Sequence, residues 1–521
     1  MPTAVKRYLL PFILLSALLL RLYHINQPYT DLAGWRQSSV AMMAENFHNR
    51  NPNILYPEIS WNGPGKTYTG YEFQTVSYAA NLLYWVFGQH EWIGRLINVL
   101  FGVWGIFALY QLVRRAWDET HALVSAAVLA LLPGVIFFDR TFLPDPAMVS
   151  LVTTASWFLI AYLQTDNRRY FIGMLLTGCL GFLTKIPGML ILLPMLYAIL
   201  SILSARKKLS FRNLAMLAVP ALLVILIVAA YYLWARHIAI SYPPYLFAGH
   251  SNWVWNEGLS AWLQQGYFLE KTTFIFKNWI LGAPFCALFV AGIFSSFIYI
   301  KSAARNAANQ VKIAAPYFFH FWLIGYIVFY AIGAKEQIDN FWNFHIGTPM
   351  IAAFCSSALV FVWQFFKDRR WVSVAAGLLL FAYIVRSDYK AMSHTFLYKH
   401  YQTDYYMGLS LKKLRQPNDL VVVLSHDIGC PIAVFYSGGR GWVFPPHDKA
   451  NSDQLPPNDA ACKALLQELI AQGAGWFAIN RDQYNTFIRA YPLFTQYLNT
   501  NCTLRSDEPD YVIFQLPAAG R

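Results

Sequence analysis

The chain has 521 residues, of which 57% are hydrophobic and 13% are charged, and its mean hydropathy is +0.36. Soluble domains carry roughly 25% charged residues, so this composition excludes an ordinary soluble protein and indicates an integral membrane protein. The formal net charge of +13 does not point to nucleic acid, because the basic residues form short clusters between apolar runs rather than one patch.

Apolar segments follow one another through most of the chain, and several approach the ~20 residues that a helix needs to cross the hydrocarbon core. They cover approximately 8–24, 92–113, 122–138, 146–164, 170–184, 186–204, 213–235, 279–300, 316–333, 346–366 and 371–386. Lys6 and Arg7 precede the first segment, and no small-x-small cleavage site follows before Asp31. We therefore predict that this segment is a retained span and not a removed signal peptide.

The basic clusters predict the topology. With Lys6 and Arg7 inside and eleven alternating crossings, every cluster falls on the inner side, as the positive-inside rule requires. The clusters are Arg114–Arg115, Arg168–Arg169, Arg206–Lys208, Lys301 with Arg305 and Lys312, and Lys367 with Arg369–Arg370. The outer side then receives 25–91, 139–145, the surroundings of Lys185, 236–278, 334–345 and everything after about 387. This predicts a multi-pass protein of the bacterial inner (plasma) membrane whose polar chemistry faces the periplasm.

Two domains are expected: a membrane domain of about eleven helices over 1–390 and a small extracytoplasmic α/β domain over 391–521. Within the latter, Val421–Ser425, Gly475–Asn480 and Tyr511–Gln515 are predicted strands and Asp459–Gln472 an amphipathic helix. In the first outer loop, 25–91, the apolar stretch Thr75–Phe87 is predicted to be an interfacial helix.

The six cysteines divide evenly between apolar and hydrophilic surroundings. Cys179, Cys286 and Cys355 lie in apolar runs and are expected to be packing residues. Cys430, Cys462 and Cys502 lie where an external location permits a disulfide, and Cys462 with Cys502 is the pair we expect, although the sequence does not choose it.

The stretch Thr30–Gln37 follows the first apolar segment and combines a carboxylate, an indole and a guanidinium. One reading is an interfacial collar, with Trp35 as a belt aromatic and Asp31 as a helix cap. The other is an active-site carboxylate at the outer membrane surface. The chain has no G-x-x-x-x-G-K-[ST] loop, no Asp-x-Asp pair and no zinc-ligand spacing, so chemistry on that side is expected to proceed without nucleotide.

The order of several short motifs resembles a known family. They are Asp31–Gln37, Tyr71–Phe73, Phe87-Gly88 with Gly94–Leu96, Arg140–Asp145 and Leu183–Lys185. This pattern is similar to the C-type (GT-C) membrane glycosyltransferases of the protein-mannosyltransferase superfamily, glycosyltransferase family 39, akin to the aminoarabinose transferases. The resemblance covers roughly residues 8–200, and the later spans only by hydropathy. It implies a GT-C fold and an inverting transfer of a sugar from a polyprenyl-phosphate carrier to an acceptor hydroxyl at the outer face.

The resemblance places the general base on Asp31, which would take the proton of the attacking hydroxyl. Its alternative is a cap on the helical stretch Gln37–His48. Glu72 is the second catalytic candidate; it could orient the acceptor, help to bind a metal, or cap Thr75–Phe87. No metal site is predicted, and dependence on a divalent metal is left open.

A phosphate leaving group requires nearby positive charge. The candidates are Arg36, Lys66, Arg140 and Lys185, with Arg95 as a further outer-side cation. Lys185 stands between two apolar runs, where an ammonium is expensive, but it could also be a lysine that snorkels at a helix end. Arg140 could instead pair with Asp139 or Asp145, and the latter could cap the fourth span.

Lys335 and His345 belong to a late loop that in the family approaches the donor phosphate. This loop departs from the tyrosine-rich form of many relatives, which puts the role of His345 in doubt. A histidine at the end of a span is more often an interface residue.

The expected partners are a polyprenyl-phosphate sugar donor, an acceptor that is a glycan, lipid or protein, and the lipid bilayer. Two other functions compete: a transporter or flippase for a lipid-linked glycan, and an oligosaccharide ligase or polymerase. A transporter would carry charges inside its spans and two similar halves, which the sequence does not show. The position of Asp31 directly after the first span favours the monosaccharide transferase over the ligase.

Overall fold

The computed structural model describes residues 3–248, 253–264, 266, 270–305, 314–366, 368–395, 397–447 and 454–518. Lys312 and Lys367 of the predicted inner clusters lie outside the described residues. The chain divides into two compact units. The first, here called the helical unit, comprises Met1–Ile25, Arg95–Tyr231 and Ser251–Thr395; the second, the mixed unit, comprises Asn26–Gly94, Tyr232–His250 and Phe396–Arg521.

Helices dominate the fold. They are α1 Thr3–Leu22, α2 Gly34–Asn49, α3 Thr75–Phe87, α4 Glu91–Ala116, α5 Glu119–Leu131, α6 Pro133–Phe138, α7 Asp145–Thr165, α8 Arg168–Thr184, α9 Leu192–Ala205, α10 Phe211–Ser241, α11 Val254–Glu257, α12 Leu259–Gln264, α13 Thr272–Ile275, α14 Gly282–Arg305, α15 Phe318–Asp339, α16 Thr348–Phe365, α17 Arg370–His394, α18 Gln402–Leu414, α19 Ile432–Ser437, α20 Asp459–Ala471, α21 Arg481–Ala490 and α22 Pro492–Asn501. The 3-10 segments Ile186–Ile191 and Phe341–Gly347 lead into α9 and α16, and a π-helical segment, Phe276–Ile280, follows α13.

Among the described residues, seven helical segments are long and apolar enough to cross a membrane. They are Glu91–Ala116, Asp145–Thr165, Ile186–Ala205, Phe211–Ser241, Gly282–Ala304, Phe318–Asp339 and Phe341–Phe365. Two shorter apolar helices, Tyr8–Leu22 and Glu119–Leu131, accompany them. The polytopic helical membrane fold predicted from hydropathy is therefore confirmed, while the number of eleven spans stays a prediction.

Local signals explain where helices of the helical unit begin and how they pack. The carboxylate of Asp118 caps α5 by accepting the backbone N–H groups of Thr120 and His121 at 2.7 and 2.9 Å. Gly292 in α14 faces α16, where an added Cβ would lie 2.0 Å from the carbonyl oxygen of Phe354. Small residues of this kind let membrane helices approach closely, which matters because lipid supplies no hydrophobic drive between them.

The mixed unit is built on a five-stranded sheet. Its strands are β1 Leu420–Leu424, β2 Arg440–Val443, β3 Ala474–Asn480, β4 Thr503–Asp507 and β5 Tyr511–Gln515, in the order β2-β1-β3-β5-β4. The strand β1 runs parallel to both β2 and β3, whereas β5 runs antiparallel to β3 and β4. Val422 stands opposite Trp442 and Phe477 in the centre of the apolar core.

The edge of the sheet at β2 is covered by the chain around residues 60–63. Gly441 and Val443 donate their N–H groups to the carbonyls of Ser60 and Trp61 at 3.1 and 3.3 Å. An exposed edge would present a row of unpaired backbone groups, so this pairing closes one side of the sheet.

The sequence predictions for the mixed unit are largely confirmed. The strands β1, β3 and β5 and the helices α3 and α20 fall where hydropathy and periodicity placed them. The sequence pattern missed β2 and β4. The former has only four residues, and the latter is largely exposed, so neither shows the alternation that marks a half-buried strand. The domain boundary at 390/391 stays a prediction.

The predicted disulfide between Cys462 and Cys502 is wrong, since both residues are free thiols. They are buried in the apolar core of the mixed unit, and this burial raises the pKa of the Cys462 thiol to about 12 and that of Cys502 to about 11. They act as small apolar packing residues, like the free cysteines of the helical unit.

Candidate active site

The loop between α1 and α2 carries Asp31, whose side chain is fully buried. Its Oδ1 atom accepts the backbone N–H of Ala33 at 3.0 Å and the side-chain amide of Gln37 at 2.7 Å. The N-cap of α2 is Ala33, which provides no side-chain hydrogen bond. Asp31 is therefore not the N-cap of α2. Its carboxylate instead closes a local turn and is held by the first turn of the helix. The helix begins at Gly34, three residues earlier than predicted.

The Asp31 loop is tied to the C-terminal part of the mixed unit. The N–H of Tyr401 donates to the carbonyl of Thr30 at 3.0 Å, and the hydroxyl of Tyr436 accepts the N–H of Tyr29 at 2.7 Å. Trp35 packs against the same apolar cluster as Tyr401 and Tyr436. Packing within the mixed unit therefore accounts for the position of the Trp35 indole.

Arg36 and Glu72 form an ion pair in the same unit. The Nη2 atom of Arg36 lies 2.6 Å from Oε2 of Glu72, and its guanidinium stacks 4.0 Å from the ring centroid of Tyr71. Burial raises the pKa of the Tyr71 phenol, and the Arg36 guanidinium opposes this increase. Glu72 does not cap α3, because the N-cap of that helix is Gln74. The structure thus joins one predicted catalytic residue to one predicted phosphate ligand.

Lys66, also in the mixed unit, is exposed on the loop between Glu58 and Tyr68, which form an isolated β-bridge. It makes no ion pair with any other residue that the structure describes. Its contact with a phosphate stays a prediction.

The helical unit buries Lys185 at the junction of α8 and the following 3-10 segment. Its ammonium donates to Oδ1 of Asp145 at 2.8 Å and to Oδ1 of Asn343 at 2.6 Å. Lys185 is only 9% exposed, so the snorkelling alternative does not describe it. Asp145 stands in the first turn of α7 and supplies the countercharge, which leaves the pair neutral.

A second buried network joins Arg21, Asp139 and His345. Asp139 accepts from Nε of Arg21 at 2.8 Å through Oδ2, and its Oδ1 lies 3.2 Å from Nε2 of His345. Thr348 lies 3.1 Å from the other ring nitrogen of His345. His345 is thus a core residue of the helical unit. The adjoining cavity measures about 10 Å³, room for about one water and too little for a sugar.

Sequence analysis missed Arg21 and Asp139 as partners of His345. A signal for Arg21 was present, because an arginine near the end of an apolar helix is costly without a partner. The identity of that partner was not readable, since Asp139 lies 118 residues further along the chain.

Two buried arginines and one lysine complete the predicted cations of the helical unit. Arg140 donates from Nη2 to the carbonyl of His24 at 2.6 Å, and Arg95 donates to the carbonyl of Arg140 at 3.2 Å. The carboxylate of Asp139 binds Arg21 and that of Asp145 binds Lys185. Lys335 is half-buried on α15, two residues beyond the break in helical geometry at Gly333.

Titratable groups gather beside the Asp31 loop in the mixed unit. Asp427 accepts the hydroxyl of Tyr401 at 2.9 Å and lies 3.5 Å from Nε2 of His400; the hydrogen bond with His400 is the main reason that its pKa is lowered. Burial raises the pKa of Asp404 to about 7, although its bond from the N–H of His426 opposes the increase. Among the described residues, no group of three or more His, Cys, Asp or Glu is arranged to hold a metal ion.

Parts of the chain are similar in sequence to known mannosyltransferases. The family described as dolichyl-phosphate-mannose-protein mannosyltransferase matches residues 75–234. A Bacillus subtilis protein named "Putative mannosyltransferase YkcB" is 26% identical over 250 residues, 46% of this chain and 32% of that protein. The polyprenol-phosphate-mannose–protein mannosyltransferase of Corynebacterium glutamicum is 34% identical over 86 residues, 16% of each chain. The chain thus covers about a third or less of these curated relatives.

The fold comparison extends over the whole chain. The crystal structure of ArnT from Cupriavidus metallidurans in the apo state has a TM-score of 0.65 at 13% identity and covers 98% of both chains. The oligosaccharyltransferase of Archaeoglobus fulgidus has a TM-score of 0.59 at 13% identity and covers 97% of this chain and 74% of its own. The chain therefore has the GT-C fold of these solved structures, and its residues 75–234 match the mannosyltransferase family model.

The segment that matches the family model runs from α3 into α10. It includes Arg95, Arg140 and Lys185 but begins after Asp31. The assignment of Asp31 to the family site therefore depends on its motif and on its place directly after the first apolar helix of the GT-C fold.

Proposed function

We propose that this GT-C protein is an inverting glycosyltransferase that moves a monosaccharide from a polyprenyl-phosphate donor to an acceptor hydroxyl. Asp31 is the general base, and the observation that carries this role is its fixed orientation. One carboxylate oxygen accepts both Ala33 N–H and the Gln37 amide, so the group is held in place before substrate arrives. Preorganisation of this kind is required of a base that must meet a hydroxyl at hydrogen-bond distance.

The donor class is inferred from structural neighbours. One structure of Cupriavidus metallidurans ArnT, with a TM-score of 0.60, is bound to undecaprenyl phosphate, and one of Archaeoglobus fulgidus AglB, with a TM-score of 0.58, is in complex with an inhibitory peptide and a dolichol phosphate. These likenesses support the fold, and the lipid-linked donor of the present chain follows from them only as a proposal.

We assign the donor phosphate to the cations that the sequence singled out. Arg140 and Arg95 are buried in the helical unit, where each donates to a backbone carbonyl. Lys185 and Arg36 each hold a carboxylate and would have to exchange or share it with a phosphate. Glu72 serves to orient Arg36, and Lys335 and Lys66 remain accessory candidates.

The membrane is the bacterial inner membrane, and transfer takes place on its outer side. This orientation is supported by the basic clusters, all of which fall on one side when the predicted spans alternate. It places the Asp31 loop opposite the cytoplasm, where the lipid-linked donor presents its sugar to an envelope glycan, a lipid or a protein.

The test uses purified protein with a polyprenyl-phosphate-linked sugar and measures release of polyprenyl phosphate. Asp31→Asn removes the base, and we expect at least ~100-fold lower turnover with normal expression and thermal stability. Asp510→Asn makes the same chemical change at an exposed position of the mixed unit and is expected to leave turnover unchanged. Full activity of the Asp31 variant would remove Asp31 from the mechanism.

Product analysis separates the competing functions. A mass increase of one sugar on the acceptor supports the monosaccharide transferase, and transfer of a whole glycan would instead establish the ligase. Movement of a lipid-linked glycan across liposomes with no sugar transfer would establish the transporter.

A further inference from the structure

The mixed unit contains a polar cavity of about 400 Å³ at the C-terminal end of α2. Its polar lining includes Glu45, Asn46, Asn49, Arg50, Asp419 and Arg440. The volume falls within the range of about 300–1,000 Å³ that small-molecule sites occupy. The proposed mechanism uses none of these residues.

This cavity is separate from the Asp31 loop. Asp31 precedes the first residue of α2, whereas the cavity is lined by the second half of that helix, from Met42 to Asn49, and by Arg50. At 1.5 Å per residue, Met42 lies roughly 12 Å along the helix axis from Gly34. A ligand in the cavity therefore does not occupy the position of the reacting sugar.

The charges of the cavity are balanced. Glu58 binds both guanidiniums, at 3.3 Å from Nε of Arg50 and 3.0 Å from Nη2 of Arg440. Asp419 contributes a second carboxylate and is itself held by the indole N–H of Trp476 at 2.8 Å. The two guanidiniums are thus matched by the carboxylates of Glu58 and Asp419, so the cavity has no excess positive charge to attract a phosphate.

Glu45 adds a group that can donate a hydrogen bond. Burial and the nearby Glu91 raise the pKa of Glu45 to about 7, and Lys412 opposes this increase. The protonated form of this carboxyl offers an O–H donor without adding charge, and the raised pKa favours that form.

Arg440, which lines the same cavity, has N–H groups that can donate to a ligand. Its Nη2 atom binds Glu58, the carbonyl of Gly65 and the hydroxyl of Thr67. Its Nε and Nη1 atoms are buried and have no hydrogen-bond partner in the part of the chain that the structure describes. Buried N–H groups without a partner cost free energy, so a ligand that accepts from them is favoured.

We infer that this cavity binds one uncharged, hydroxyl-rich saccharide unit. A sugar hydroxyl donates to a carboxylate and accepts from a guanidinium or amide at the same time, which matches Asp419, Arg440 and the asparagines. The ring of Phe435 supplies an apolar wall for a sugar face. This inference rests on the proposed function in one respect: it makes the bound unit a part of the acceptor, which is then a glycan or glycolipid.

The test is saturation-transfer-difference NMR on the full-length protein in detergent. The probes are the methyl glycosides of mannose, glucose, galactose and N-acetylglucosamine. Asn418 is exposed at the rim, so Asn418→Trp blocks the entrance without removing a buried contact. We expect at least one glycoside to bind and Asn418→Trp and Arg440→Gln each to weaken it by about tenfold or more. Thermal unfolding verifies that both variants are folded.

Two further samples separate the possible results. The Asp31→Asn variant should bind the glycoside normally. Glycoside binding can therefore be detected even when the protein has no transferase activity. Inorganic phosphate should not displace the glycoside. Absence of binding by all four glycosides, binding that both cavity variants retain, or displacement by phosphate would each overturn the inference.

Discussion

The side-chain amide of Gln37 orients Asp31 through a 2.7 Å hydrogen bond to Oδ1, and both residues are fully buried. The pair is local, since the two residues are six positions apart, and it couples the carboxylate to the first turns of α2. If Asp31 is the base, its geometry depends on this bond as well as on its own loop.

Gln37→Met keeps the length of the side chain and removes the donor. We expect kcat to fall roughly tenfold or more, because a bond to a charged group is worth about 1.5–3 kcal/mol. The KM for the lipid-linked donor should stay within about twofold, since the variant changes orientation and not donor contacts. If the variant instead loses thermal stability, and its kcat does not fall separately from a change in KM, Gln37 has a merely structural role.

Lys185 forms a buried ion pair with Asp145, and we propose that it also binds the donor phosphate. Lys185→Met leaves Asp145 buried without its countercharge, and its Oδ2 atom already lacks a partner among the described residues. Loss of one partner of a buried pair costs about 3–5 kcal/mol, so a marked fall in the thermal midpoint is expected.

The matched variant carries Lys185→Met together with Asp145→Asn and restores neutrality. We expect it to recover most of the thermal midpoint while transfer stays low, because the ammonium that we assign to the donor phosphate is still absent. Recovery of both stability and transfer would show that Lys185 serves only the fold.

At the scale of elements, the entry into α2 depends on a close approach of two backbone segments. A Cβ at Gly34 would lie 2.4 Å from the carbonyl oxygen of Tyr29, and neither backbone can yield without moving the loop between them. That loop contains Asp31, so the geometry of the proposed base depends on how α2 packs against the loop.

Gly34→Ala should therefore displace the Asp31 loop. We expect transfer to fall by at least ~10-fold while the protein remains folded. Gly65→Ala is the control, since nothing lies within 4 Å of a Cβ at Gly65 in a nearby loop of the same unit. Normal transfer by the Gly34 variant would contradict the proposed constraint.

At the scale of the whole molecule, buried carboxyls make the stability of the mixed unit depend on pH. Burial raises the pKa of Asp404 from its ordinary value of 3.8 to about 7; Asp427 adds to this increase, and the bond from the His426 N–H and the charge of His400 oppose it. Between about pH 4 and pH 7 the folded state keeps a proton that the unfolded state has lost. Stability therefore falls as pH rises through this window and levels off above it.

Asp404→Asn removes this dependence. The difference in thermal midpoint between this variant and the wild type should increase from about pH 4 to pH 7 and then stay constant. The corresponding difference in the free energy of unfolding changes by at most ~1.4 kcal/mol per pH unit. Asp510→Asn at an exposed position should show no such trend. A difference that is flat with pH would show that Asp404 does not titrate in this range.

The sequence by itself determined the membrane character, the polytopic helical fold, the α/β composition of the C-terminal part and the helix Thr75–Phe87. It also singled out Asp31, which the structure places in a fixed turn. These features are local, because hydropathy and periodicity are read within one segment of chain.

Only the tertiary structure decided which charges are paired. Arg21 and Asp139 are 118 residues apart, and Lys185 meets Asn343 across 158 residues. The cavity beside Arg440 likewise depends on loops brought to the end of α2 from distant parts of the chain. Burial makes each unpaired charge costly, so partners are selected by three-dimensional packing, and no periodicity in the sequence records that selection.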